Sequence, residues 1–151
     1  MDEAFLLPKA IFLDTSFFVA LANESDRDHA QTLSLLDRIR KGEFGQPYTS
    51  DYVFDESVST TLIRTGRMDK AIKAGRLILG NREQKILPLA RLLRLDEKEF
   101  GDAWANLCSP KFKDRRLSFT DHTILVLMSD FKIETLASLD SGFDGLLSRV
   151  F

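Results

Sequence analysis

The chain has one cysteine, Cys108, and only two histidines, His29 and His122. A lone thiol excludes an internal disulfide and any multi-cysteine zinc site, and it fits a reducing, cytoplasmic setting. No apolar run approaches the ~20 residues that a membrane-spanning helix needs. The opening Met1-Asp2-Glu3-Ala4 is acidic and lacks the basic start of a secretory signal, so none is expected. There is little net charge either. Lys and Arg number 21 against 23 Asp and Glu, a balance of −2 without the overall basic footprint of a nucleic-acid binder. Nor is there a repeat, a low-complexity tract or an internal linker, so residues 1–151 are expected to form a single domain.

What is present is organised around Lys9-Ala10-Ile11-Phe12-Leu13-Asp14-Thr15-Ser16. A short apolar run ends in a carboxylate and two hydroxyls, and Phe17–Ala22 then reads as helix. An uninterrupted apolar run suits the central strand of a parallel sheet, buried on both faces. In such sheets ligands bind beyond the carboxyl ends of the strands, which places Asp14 at the mouth of a crevice.

Residues 1–8 read as a lead-in, with Pro8 fixing the approach to this strand. Asp26 is a candidate cap for a helix running to about Arg40 and closed by Gly42. Tyr48-Thr49-Ser50 is a short strand, and Ser50 or Asp51 caps a helix to Thr65 that Gly66 ends. A further helix spans Met68–Leu79 with Gly80 as its stop. Gln84–Leu89 reads as a strand that Pro88 confines to an edge. Asp96 and its acidic neighbours open a helix carrying Phe100, Ala103, Trp104 and Leu107. Ser118 caps a helix over Phe119–Ser129, Ile133–Leu139 is a late strand, and Leu146–Phe151 adds a last short one. Strands alternating with helices imply right-handed crossovers and an α/β fold, a parallel sheet covered on both faces.

Four acids fall where this architecture brings remote residues together. Asp14 ends the first strand and Asp140 the late one; Glu56 lies among Val53, Val58 and Leu62 of one helix; Asp121 sits in the first turn of another. Each has an ordinary alternative: a helix cap for Asp14, a dipole partner for Asp121, a turn for Asp140, solvation for Glu56. Together on one crevice they repel, and they need a cation to ionise jointly. Oxygen donors without His or Cys favour Mg²⁺ or Mn²⁺ over Zn²⁺. Such an ion activates water and stabilises charge on a phosphodiester. Thr15 and Ser16, at a helix start, add hydroxyls for a metal-held water or a phosphate.

The ordered set of motifs resembles the PIN-domain nucleases, and most closely the VapC-type toxin ribonucleases. Ile11-Phe12-Leu13-Asp14-Thr15-Ser16-Phe17-Phe18 is similar to the first motif of that family, and Asp26-Arg27-Asp28-His29-Ala30 to the turn into its second helix. Asp55-Glu56 resembles the helix bearing the second acid, Leu117-Ser118-Phe119-Thr120-Asp121 the third motif, and Leu139-Asp140-Ser141-Gly142-Phe143-Asp144 the last. The likeness runs from about Ile11 to Phe143. It implies a three-layer α/β/α sandwich that cuts RNA with Mg²⁺ or Mn²⁺, a homodimer and, for toxin members, an antitoxin encoded beside it. Carried over by residue, Asp14, Glu56, Asp121 and Asp140 are the catalytic, metal-holding acids. Ser16 matches the hydroxyl near the metal, Ser138 the hydroxyl two before the last acid, and Asp144 a fifth acid.

Other residues read as structural. His122 points away from its neighbour Asp121, His29 is structural, and Cys108 packs with Trp104 in the core. The basic runs Arg64, Arg67, Lys70, Lys73, Arg76 and Lys111, Lys113, Arg115, Arg116 suit a solvated face, a dimer or clip surface, or a nucleic-acid contact. Competing readings are a non-catalytic module that binds RNA or protein, and a housekeeping PIN nuclease. An Asp-x-Asp phosphatase or a phosphoacceptor needs a second acid that is missing, since position 16 is serine, and it ranks behind these.

Overall fold

In a computed structural model the chain is described over residues 8–151; the rest of the expected lead-in, 1–7, lies outside the described residues. Ile11, Phe12 and Leu13 of strand β1 (Ala10–Leu13) are fully buried. This is what an apolar run without polar alternation requires. Strand β1 is the centre of a wholly parallel five-stranded sheet with β2 (Gln46–Ser50), β3 (Arg91–Leu93), β4 (Thr135–Ala137) and β5 (Ser148–Val150), in the order β3-β2-β1-β4-β5. Phe12 pairs with Tyr48 on one side and Leu136 on the other.

The described helices are α1 (Thr15–Ala22), α2 (His29–Arg40), α3 (Asp51–Thr65), α4 (Met68–Leu79), α5 (Glu97–Cys108) and α6 (Phe119–Asp130). Helix α1 packs against α2, α3 and α4, and α5 packs against α6. Right-handed crossovers lead β1 to β2 and β3 in one direction and back to β4 in the other, so the two groups cover opposite faces in a three-layer α/β/α sandwich. The expected bounds of α3 and α4 hold. The Ser50 hydroxyl caps α3 at the Val53 N–H, and Gly66 closes it in the left-handed conformation at φ 64°.

Four local expectations are corrected. The helix expected from Asp26 begins at His29; the Asp26 carboxylate instead accepts from the Asp28 N–H at 2.9 Å, folding a turn ahead of the helix. Gln84–Leu89 is not a strand. Gly80 turns the chain at φ 73°, an antiparallel bridge joins Asn81 to Ile86, and only beyond Pro88, which has no N–H to donate, does β3 add to the sheet edge. Cys108 is exposed rather than packed in the core, and Trp104 beside it is 57% exposed. The reason is the orientation of α5, which buries Glu99 and Ala103 and leaves Phe100, Trp104 and Leu107 outward. The late strand is also shorter than Ile133–Leu139.

Candidate active site

The strand order reverses direction between β1 and β4, and beyond their carboxyl ends lies a cleft of about 450 Å³. Asp14, Glu56, Asp121 and Asp140 all line it, with Ser16 among them. Four acids separated by up to more than a hundred residues in the chain are thus brought to one place. Asp144 is not. Its carboxylate accepts from Arg149 Nε at 2.7 Å, which holds it below the usual carboxylate range, and it does not line the cleft.

Asp14 is the most enclosed of the set, 3% exposed. Its Oδ1 accepts from the Thr15 N–H at 2.5 Å, and its Oδ2 accepts from Ser138 Oγ at 2.6 Å and Ser16 Oγ at 3.3 Å. Each serine is held in turn by the backbone that follows β4: Asp140 N–H donates to Ser138 Oγ at 3.0 Å, and Leu139 N–H to Ser16 Oγ at 2.9 Å. Two hydroxyls therefore tie the end of β1 to the end of β4. Asp121 is oriented by a reciprocal cap, accepting from the Ser118 N–H at 2.8 Å while its own N–H donates to the Ser118 hydroxyl at 3.1 Å.

These acids sit where ionisation is unfavourable. Burial pushes the Asp14 carboxyl from 3.8 up to about 7; the Ser138 and Thr15 hydrogen bonds oppose the rise, and the charges of Asp121 and Glu56 add to it. Burial also lifts Asp121 to about 6, against its bonds to Ser118 and with the help of Asp140 and Glu56. The Thr15 hydroxyl is buried on the cleft wall without a hydrogen-bond partner. Hard oxygen donors, excess negative charge and an unpartnered hydroxyl fit a hydrated hard cation. Among the described residues no three His, Cys, Asp or Glu side chains enclose an ion by themselves. The fit is therefore to an ion held by one or two carboxylates, with waters completing its shell.

Asp26, Asp28, Thr60, Arg64 and Arg116 also line the cleft. In the sequence the two acids figure only in a cap and a turn motif and the two arginines only within basic runs, and none of the five stands among the expected site residues. Helical spacing is the signal that finds two of them, since Glu56, Thr60 and Arg64 recur every four residues on α3. Three other members of that basic run are neutralised locally. Arg67 pairs with Asp69, and Lys70 and Lys73 both pair with Glu24. The histidines are structural as expected: His29 Nδ1 donates to the Ala20 carbonyl at 2.8 Å, and the buried His122 ring packs edge-on to Phe112.

Among solved structures the chain is similar to the Mycobacterium tuberculosis toxin VapC20, described as cleaving the sarcin-ricin loop, at 24% identity and a TM-score of 0.73 over 90% of this chain and 94% of that one. It is also similar to FitAcB from Neisseria gonorrhoeae (21% identity, TM-score 0.63, 93% and 96% covered) and to FitAB bound to an IR36 DNA fragment (21%, 0.61, 93% and 93%). At these identities the likeness shows a shared fold. No curated protein matches the sequence. The family profile described as PIN domain matches residues 11–146, nearly the whole chain, with the acid cleft inside that span. The chain belongs to the PIN-domain family.

Proposed function

We propose that this PIN domain is an endoribonuclease that depends on Mg²⁺ or Mn²⁺, and that it serves as the toxin of a toxin–antitoxin pair. The observation that carries the proposal is the meeting of Asp14, Glu56, Asp121 and Asp140 in one cleft at the reversal of strand order. An ion held by these carboxylates would supply Lewis acidity and offset negative charge at the scissile phosphate. The side chains do the positioning. Asp14, fixed by Ser138 and Ser16, and Asp121, fixed by its cap, present carboxylates that need no reorganisation when substrate arrives. Hydrolysis then adds a water oxygen to phosphorus as the bond to one ribose oxygen breaks, and that oxygen leaves with a proton.

The relatives support the biological half of the proposal. One is described as a toxin that cleaves the sarcin-ricin loop, and others are FitAB-type assemblies. A protein antitoxin encoded beside the gene accords with that likeness, and a homodimer is part of the same proposal. Co-expression with the neighbouring small protein, followed by purification through a tag on one partner, tests the pairing; purification of the toxin alone contradicts it.

A second reading, a PIN-fold module that binds RNA without cutting, draws on the absence of a three-acid ion cage among the described residues. One assay separates the two. Total RNA is incubated with wild type, Asp14→Asn and Asp121→Asn, each with and without Mn²⁺. Cleavage by wild type with Mn²⁺ alone supports the nuclease. RNA left whole under all conditions supports the binding module.

A further inference from the structure

The cleft holds cations as well as acids, and two of them stand apart. Arg27 is paired with Asp28, whereas Arg64 and Arg116 line the same cleft and, among the described residues, make no ion pair or side-chain hydrogen bond. Guanidinium groups that share a cavity with four carboxylates and pair with none are available to an anion from outside. They arrive from separate elements. Arg64 ends the Glu56–Thr60–Arg64 face of α3. Arg116 stands two residues before the Ser118 cap of α6, in a left-handed backbone at φ 54° that a non-glycine residue rarely adopts. Its neighbour Arg115 anchors that loop by donating to the Gly142 and Asp144 carbonyls at 3.1 and 2.6 Å. The loop is thereby fastened to the turn bearing Asp140 while Arg116 is presented to the cleft.

We infer that Arg64 and Arg116 are positioning residues that grip the phosphates flanking the one to be cut, so that the site takes an internal stretch of a nucleic-acid strand rather than a terminal phosphate. The inference rests on the nuclease reading and deepens it. A cleft lined by four acids repels a polyanion, and two guanidiniums that reach the same cleft from separate elements, without ion-pair partners among the described residues, offset that repulsion. Planar, bidentate donors suit phosphate oxygens.

The test measures binding of a short labelled RNA of mixed sequence in the Asp14→Asn background with Mg²⁺, across a range of salt. Arg64→Gln and Arg116→Gln should each weaken binding roughly 10-fold. Each should also reduce the slope of log affinity against log salt by about 1. Lysine at either position should restore the slope, which a merely structural role would not allow. A free mononucleotide should compete equally with the parent and both glutamine variants. In the Asp14-containing protein the glutamine variants should raise KM with kcat little changed. An unchanged slope, or a defect that lysine does not rescue, overturns the assignment while leaving wild-type cleavage to stand. A slope that shifts in a protein that cuts no RNA supports the grip on phosphate and defeats the hydrolytic reading instead.

Discussion

Ser138 carries more than its size suggests, because its hydroxyl donates to Asp14 and accepts from the Asp140 N–H. A donor to the charged form of a carboxylate lowers its pKa, so Ser138→Ala should push Asp14 higher still. The expected outcome is an acid limb of the pH–rate profile displaced to higher pH, with a stability loss of about 1–2 kcal/mol in a melting experiment. The raised acids also set the sign of the pH dependence of folding without divalent cations. Groups whose folded pKa lies above the unfolded value support the fold fully below the unfolded value, and that support is lost as pH rises through the folded one. Stability in EDTA should therefore fall between about pH 4 and about pH 8 as Asp121 and Asp14 ionise, at about 6 and about 7. Asp14→Asn should flatten the fall, by at most ~4 kcal/mol. Melting curves across pH for the two proteins decide it; a wild type more stable at pH 8 than at pH 5 in EDTA would contradict the burial of these carboxylates.

At the scale of elements, the approach to β1 depends on a glycine outside it. Gly45 adopts φ 77° just before β2, and a Cβ there would run into the Lys9 carbonyl on the neighbouring strand's approach. Gly42, at φ 79°, has open space around it. Gly45→Ala should thus destabilise by more than ~2 kcal/mol, against about 1 for Gly42→Ala, in chemical denaturation. Equal losses would show that backbone strain alone matters. How far the sequence could be read follows the same division. Where one residue carries an unambiguous local instruction, as with the Ser50 cap, the Gly66 stop or the unbroken Ile11–Leu13 run, the expected element is present with its expected bounds. Where the instruction depends on the rest of the fold, it was not legible. Trp104 and Cys108 look apolar in the chain, but the packing of α5 through Ala103 turns them outward. The run at 84–89 has strand composition, yet the Asn81–Ile86 bridge takes its hydrogen bonds elsewhere.

For the whole molecule, net charge conceals the distribution that matters. The acid that balances the lysines of α4 lies at the surface, Glu24 pairing with Lys70 and Lys73, while Asp14, Glu56, Asp121 and Asp140 collect in one cleft with two arginines that have no ion pair among the described residues. The acids' convergence was legible because strand ends and the N-terminal halves of the following helices are positions a parallel sheet brings together. Arg64 and Arg116 were not, since a basic run gives no sign of which members find local partners. If the cleft holds a divalent cation as proposed, millimolar Mg²⁺ should raise the melting temperature through preferential binding to the folded state. The most direct test is a Mn²⁺ titration of wild type, Asp14→Asn and Asp121→Asn, followed by the paramagnetic resonance signal of free Mn²⁺. Saturable loss of that signal in wild type, weakened in both variants, is the result expected from acids that converge on an ion. A wild type that leaves the free Mn²⁺ signal intact, or that matches both variants, would contradict it.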